Sequence, residues 1–182
     1  MILQDEKIFI SELLNPKTQN EAFRKLLQLY QKPLYNHIRG ILLNHDDADD
    51  VLQNTFIKVH THLNKFKGDS KLYSWMFRIA TNESITFLQQ RAKKQGISNE
   101  EVKEKALNKL ESDVYFDGNE IQLKLHKAIA SLPEKQQLVF KMKYFEELKY
   151  EEMSEILGTS VGALKASYHI AVKKIEDFLK TN

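Results

Sequence analysis

The densest group of potentially reactive side chains is His45-Asp46-Asp47-Ala48-Asp49-Asp50, four carboxylates within five residues behind a histidine, with His60 and His62 farther along the same segment. Carboxylates and imidazoles in this number are what a divalent cation or a general acid–base pair would use. The spacing argues against both. Ala48, Val51, Leu52, Thr55, Phe56 and Val59 recur at the interval of one buried helix face, so Asp46 and Asp47 fall in a first turn, where acids cap N–H groups and meet the helix dipole favourably. His60 and His62 are two positions apart and point to different sides of a helix. Neither a metal nor a cofactor is expected. What remains is a polar outer face on which Asp49, Asp50, Gln53 and Asn54 lie side by side, suited to docking against another macromolecule.

A second constellation is basic and aromatic. Lys65, Lys67 and Lys71, with Gly68 and Ser70, form a short loop that runs into a helix carrying Tyr73, Trp75, Phe77, Arg78 and Asn82 and ending in Arg91, Lys93 and Lys94. Positive charge interleaved with rings is how proteins hold unpaired bases along a backbone-tracking groove. Trp75 is expected in the core, which leaves Lys67, Ser70, Lys71, Arg78, Asn82 and Arg91 as the nucleic-acid candidates.

The third constellation, Tyr150 to His169, reads as a short helix, a glycine turn and a second helix. Met153, Ile156 and Leu157 share one face of the first helix, with Glu151, Glu152 and Glu155 on the wet side. Gly158 suits a left-handed helix C-terminus, and Thr159 or Ser160 can cap the helix that follows. In that second helix Val161, Leu164, Tyr168, Ala171, Val172, Ile175 and Leu179 form the apolar stripe, while Lys165, His169 and Lys173 stand at four-residue steps on another face. This is a helix-turn-helix. Ser160, Gly162, Ala163 and Ala166 are small enough beside that basic row to let the helix approach a groove closely, so they join Lys165, His169 and Lys173 as duplex-contact candidates.

Composition sets what must position these groups. Glycine and proline are scarce, at 6 and 3 in 182 residues, and long stretches follow helical periodicity, so an all-α chain is expected. Phe23, Leu26, Leu27, Tyr30, Leu34 and Ile38 lead a block extending to residue 94 with enough apolar positions for a four-helix unit. Ile129, Leu132, Leu138, Val139, Met142 and Phe145 supply the core of a second block, residues 121–182, with Pro133 at a helix start. Between them, residues 95–120 read as a linker in which parts such as Glu100–Leu110 are expected to be helical only transiently, for want of a convincing core face. Charge follows the same division. Residues 1–94 carry 14 Lys/Arg against 10 Asp/Glu, 95–120 carry 3 against 7, and 121–182 carry 10 against 8. The net charge of +2 is too small for tight non-specific nucleic-acid binding, so contact with DNA must be local or assisted by a partner. Zero cysteines suit a reducing cytoplasm, no signal peptide is evident, and no apolar run approaches the ~20 residues of a membrane span.

Taken in order, these segments resemble bacterial RNA polymerase sigma factors of the extracytoplasmic-function group, over nearly the whole chain. Asp47-Ala-Asp-Asp-Val-Leu-Gln-Asn-Thr-Phe is similar to the family's acidic-aliphatic-Gln helix. Ser74-Trp-Met-Phe-Arg-Ile-Ala-Thr-Asn is similar to its promoter-melting helix. Leu132-Pro-Glu-Lys-Gln-Gln with Tyr150 to Ile175 is similar to its promoter-reading domain. The resemblance implies two helical domains joined by a flexible linker. Residues 1–94 would dock core polymerase through Asp49, Asp50, Gln53 and Asn54, and would recognise and melt the −10 element. Residues 121–182 would read the −35 element. It also implies an anti-sigma partner, no cofactor, no membrane insertion and no catalytic group. The sequence departs from the family where Thr86 and Gln89-Gln90-Arg91 replace an acid and paired basic residues, and where Ala163, Ser167, Ile170 and Val172 replace a threonine and arginines. A stand-alone helix-turn-helix regulator would share the C-terminal half, but it leaves the Asp50/Gln53/Asn54 face and the basic-aromatic loop without a role. An enzyme built on the aspartate cluster, or a purely structural helical protein, would use even less of the pattern.

Overall fold

The computed structural model describes residues 6–110 and 120–181. Among these residues the chain is helical throughout, with no strand. Four helices form the first unit: α1 (Glu6–Leu14), α2 (Gln19–Leu42), α3 (His45–His62) and α4 (Leu72–Gln95). Helix α2 turns Leu26, Leu34 and Ile38 inward, where they meet Val51 and Val59 of α3 and Met76, Phe77 and Ala80 of α4 in one core. Helix α3 buries Ala48, Val51, Leu52, Thr55, Phe56 and Val59, the six positions its spacing required. Its cap is Asn44 and not an aspartate: the Asn44 side-chain oxygen accepts the Asp47 N–H at 2.9 Å. Asp46 and Asp47 occupy the first turn, where their charge opposes the positive helix end.

The acidic stretch 95–120 differs from the expected linker. It contains α5 (Asn99–Leu110), which buries Val102, Lys103, Leu107 and Leu110. Its core face is narrow, with the apolar positions separated by long polar runs, and it becomes evident only with the cap: Ser98 Oγ accepts the Glu101 N–H while Glu101 accepts the Ser98 N–H, at 3.1 and 2.7 Å. Leu107 and Leu110 close on Leu43 at the end of α2, with Leu123 and Ala130 alongside. Residues 111–119 of the expected linker lie outside the described residues.

The second unit comprises α6 (Glu120–Ala130), α7 (Glu134–Tyr144), α8 (Tyr150–Leu157) and α9 (Val161–Thr181). Ala128, Ile129, Leu132, Phe140, Ala171 and Ile175 form its own cluster. Pro133 immediately precedes α7, and the Gln137 amide reaches back to the Ala130 and Leu132 carbonyls at 3.2 and 2.7 Å. Phe145, expected in the core, is 48% exposed. Helix α7 has already ended at Tyr144, and the Phe145 ring lies parallel to His126 instead, 5.8 Å away.

The two units do not stand apart. Leu138, Val139, Met142, Leu148, Met153, Ile156 and Leu164 of the second unit belong to the same buried cluster as the core of α1–α4. The principal seam is α8 laid against α4.

Candidate functional site

The helix-turn-helix takes its shape from residues 158–161. Gly158 ends α8 in the left-handed region, at φ 63°, and its N–H closes on the Ser154 carbonyl. Ser160, rather than Thr159, caps α9, accepting the Ala163 N–H at 3.3 Å. Leu164, Ala171 and Ile175 of α9 point inward. Gly162, Ala163, Lys165, Ala166, His169 and Lys173 are all exposed, so the expected recognition face is on the surface as one strip. The Lys165 ammonium lies 5.7 Å from the Tyr150 ring centroid, a cation–π contact that draws it towards the start of α8.

On α3, Asp50, Gln53 and Asn54 face solvent, whereas Asp49 is half-buried and lies 3.5 Å from His45 Nε2. One turn past Gln53 is Ile57, 63% exposed. With Phe23, Leu27, Leu52, Phe56 and Gln53 it lines an open groove of about 560 Å³ between α2 and α3. Sequence reasoning missed Ile57, although an isoleucine four residues from Gln53 and outside the buried stripe is a legible sign of a sticky surface. His60 does not belong to any ligand group; its ring meets Phe23 edge-on, 4.9 Å away. Among the described residues, no group of three or more His, Asp or Glu side chains is arranged to hold a metal.

The α4 surface is basic but engaged. Gly68, at φ 76°, turns the preceding loop so that Lys67 is exposed and Ser70 half-buried. Lys71 Nζ is 3.1 Å from Glu152 on α8. Arg78 donates to the Glu155 carbonyl of α8, and Arg91 pairs with Asp47 of α3. Asn82 is exposed at the edge of a cleft of about 830 Å³ whose opposite wall includes Ala163, Leu164 and Ser167 of α9. Trp75, expected in the core, is only half-buried, with Phe66 5.1 Å away, whereas Phe77 is fully enclosed. Of the glutamates expected on a wet face, Glu152 pairs with Lys71 beside the start of α4, Glu155 is half-buried, and only Glu151 remains exposed. Burial disfavours the Glu152 charge, but the Lys149 N–H and the Lys71 ammonium outweigh it and hold the carboxyl below the usual range. The buried Glu155 Oε2 has no hydrogen-bond partner.

The comparison with known families assigns both halves of this arrangement. Residues 26–94 match Sigma-70 region 2, and residues 122–175 match Sigma-70, region 4. The chain belongs to the sigma-70 family.

Similar proteins lie in the same group. The ECF RNA polymerase sigma factor SigW of Bacillus subtilis is 27% identical over 162 residues, covering 84% of this chain and 86% of the relative. RNA polymerase sigma-H factor of Pseudomonas aeruginosa is 29% identical over 167 residues, covering 87% and 86%. Two solved structures share the fold. CnrH in complex with the cytosolic domain of CnrY superposes with a TM-score of 0.72 at 19% identity, covering 98% of this chain and 99% of that one. The sigma factor RpoE with the anti-sigma factor NepR from Bartonella quintana gives 0.66 at 20% identity, covering 88% and 98%. In this sigma factor region 2 supplies α2–α4, region 4 supplies α6–α9, and among the described residues no helix is long and apolar enough to cross a membrane.

Proposed function

We propose a division of labour for the activity that the family carries. As a sigma factor the chain binds core RNA polymerase and directs promoter recognition and DNA opening. In our reading residues 1–94 form the polymerase-docking and −10 domain, residues 95–120 the connection, and residues 121–182 the −35 domain. Asp49, Asp50, Gln53 and Asn54 dock polymerase, with Ile57 as the apolar centre of the patch. Lys67, Ser70, Lys71, Arg78, Asn82 and Arg91 hold the −10 region. Ser160, Gly162, Ala163, Lys165, Ala166, His169 and Lys173 face the −35 duplex.

The observation that carries this reading is the order of three surfaces on one chain: a polar helix face with an apolar centre, a basic-aromatic helix, and a capped helix-turn-helix with a small-residue, basic front. Small residues let the α9 backbone approach a groove, lysines meet phosphates, and neither half carries enough charge to hold DNA tightly alone. Tethering both to polymerase converts two weak contacts into one strong one through effective concentration. Strand opening follows by capture, as unpaired bases leave the stack for the α4 surface and recover stacking and backbone contacts there. The polymerase supplies the chemistry, so the sigma factor needs no catalytic group, metal or cofactor. It acts in the cytoplasm, and an anti-sigma protein is its natural regulator.

Run-off transcription tests this. Core polymerase from the source organism and a pool of its promoter fragments should give discrete new transcripts only when the protein is added. Absence of transcripts together with absence of binding to core would overturn the assignment in favour of a stand-alone regulator.

A further inference from the structure

Helix α1 lies before residues 26–94, the part that matches region 2, yet its first residue reaches the promoter-melting helix. The N–H of Leu72, the first residue of α4, donates to Glu6 Oε1 at 2.6 Å across 66 positions of sequence. A helix start leaves its first N–H groups without partners inside the helix, and a carboxylate there meets both an N–H and the positive end of the dipole. Lys71, at the cap position, supplies no side-chain acceptor, and Leu72 is fully buried, so its N–H depends on Glu6 rather than on water. We infer that Glu6 is a positioning residue for promoter opening: by capping α4 from outside it fixes the basic loop Phe66–Lys71 in the form that receives the unpaired strand, a role that rests on assigning this loop to the −10 region.

The surroundings make Glu6 a fixed support rather than a passing contact. Phe9 and Leu13 seat α1 in the core of the first unit, and the Lys25 ammonium lies over the Phe9 ring, 5.5 Å from its centroid. At the far end of α1 the Thr18 hydroxyl donates to the Glu12 carbonyl at 2.7 Å and the Gln19 amide to the Leu13 carbonyl at 3.0 Å, which ties the helix to the start of α2. Helix α1 also packs against the short turn Leu63–Lys65, from which the loop departs. There the Phe66 N–H closes on the Leu63 carbonyl at 3.1 Å, and the Phe66 ring lies 5.1 Å from Trp75. One end of the loop is thus pinned at Phe66 and the other at Leu72, with α1 against both. Between these points Gly68 turns the chain at φ 76°, and Lys67, Gly68 and Asp69 are exposed, so the two ends decide where Lys67 and Ser70 point. A strand leaving its duplex is captured with a smaller loss of entropy when the loop that receives it is already ordered.

The test compares Glu6→Ala with Glu6→Gln in the full chain, using core polymerase and a promoter fragment found by run-off transcription. Glutamine keeps an oxygen for the Leu72 N–H, and alanine removes it. Affinity for core is read by titration, strand opening by permanganate reactivity of unpaired thymines, and the cap itself by hydrogen exchange at the Leu72 amide. Ser98→Ala is the control, since it removes a cap from a different helix, α5. Glu6→Ala is expected to bind core within about twofold of wild type, to open the promoter roughly threefold to thirtyfold less well, the range that loss of a helix cap allows, and to exchange the Leu72 amide faster. Glu6→Gln should restore most of the opening and of the protection at Leu72, and Ser98→Ala should leave opening unchanged. Should alanine unfold the chain, Glu6→Asp makes the same comparison: it keeps the charge, draws the carboxylate back by one methylene, and is expected to lose opening in the same sense. Unchanged opening in Glu6→Ala or in its aspartate substitute, an equal loss in Glu6→Gln or in Ser98→Ala, or a loss of core binding as large as the loss of opening would each overturn the inference. Failure of the sigma-factor reading is distinguishable: the wild type would then give neither transcripts nor opening, while exchange at Leu72 still reports the cap.

Discussion

Lys141 shows at the scale of a single residue how much charge this chain places in its interior. The side chain is only 7% exposed and lines a cleft with Arg39, His126 and Glu146. Burial pushes its ammonium down to about 7, the nearby Lys103 pushes the same way, and Glu146 only partly opposes them. The same enclosure lowers His126 to about 4, through burial first and then the charges of Lys141 and Arg39. For a lysine depressed from 10.5 to about 7, the unfolded chain binds more protons throughout that window, so this group lowers stability most at and below neutral pH and ceases to matter above 10.5. Lys141→Met should therefore stabilise the protein at pH 7 by about 1–3 kcal/mol, with its advantage over the wild type shrinking as pH rises. Thermal melting of both proteins across pH 7 to 10 checks the sign, and an advantage that grew with pH would refute it. In the groove between α2 and α3, exposed Ile57 calls for a binding measurement. Ile57→Asp should weaken binding to core polymerase by about tenfold or more while melting stays within about 0.5 kcal/mol of wild type, because the side chain already stands in water. Asp50→Ala combined with Gln53→Ala should act in the same direction more weakly.

At the scale of elements, α5 marks where sequence reasoning stopped short. The buried face of α3 was legible to the residue because its six positions recur without interruption, whereas its cap, Asn44, was not. The turn and the helix after it were legible because Gly158 and the Leu164–Ala171–Ile175 stripe each carry a separate signal, while the choice of Ser160 over Thr159 as cap was left open. Helix α5 offers only Val102, Leu107 and Leu110 in an acidic context, and its partners Leu43 and Leu123 lie far away in the chain, so its core face exists only once α2 and α6 are in place. The one local signal was the pair Ser98 and Glu101, a reciprocal cap three residues apart. Ser98→Ala should cost about 1 kcal/mol, and hydrogen exchange should localise the loss to the α5 amides while α3 and α9 keep their protection. Uniform loss of protection across all helices would mean that α5 is not a separate element. The contacts between α4 and α8 were illegible for a related reason. Glu152 and Glu155 sit where an isolated amphipathic helix would show them to water, and only the docking of a second unit leaves them half-buried.

At the scale of the whole molecule, the shared core decides how the free protein unfolds. Two independent domains with separate cores would melt separately, each with its own enthalpy. Here Leu138, Met142, Met153 and Ile156 of the second unit are buried in the same cluster as Leu34, Met76 and Phe77 of the first, so releasing one unit exposes apolar surface on the other. That coupling makes the halves lose structure together. Calorimetry of the free wild type should give one transition whose calorimetric and van't Hoff enthalpies agree, although each half matches its own family region. Ile85→Ser cuts the coupling where α4 meets the second unit; truncating a half-buried isoleucine there should cost about 1–3 kcal/mol, borne by the seam rather than by either local core. The variant should then melt in two resolved steps, or in one broadened step whose van't Hoff enthalpy falls below the calorimetric value. Two resolved steps already present in the wild type would show that the seam contributes too little to couple the halves. Polymerase could then engage each half without first prying them apart.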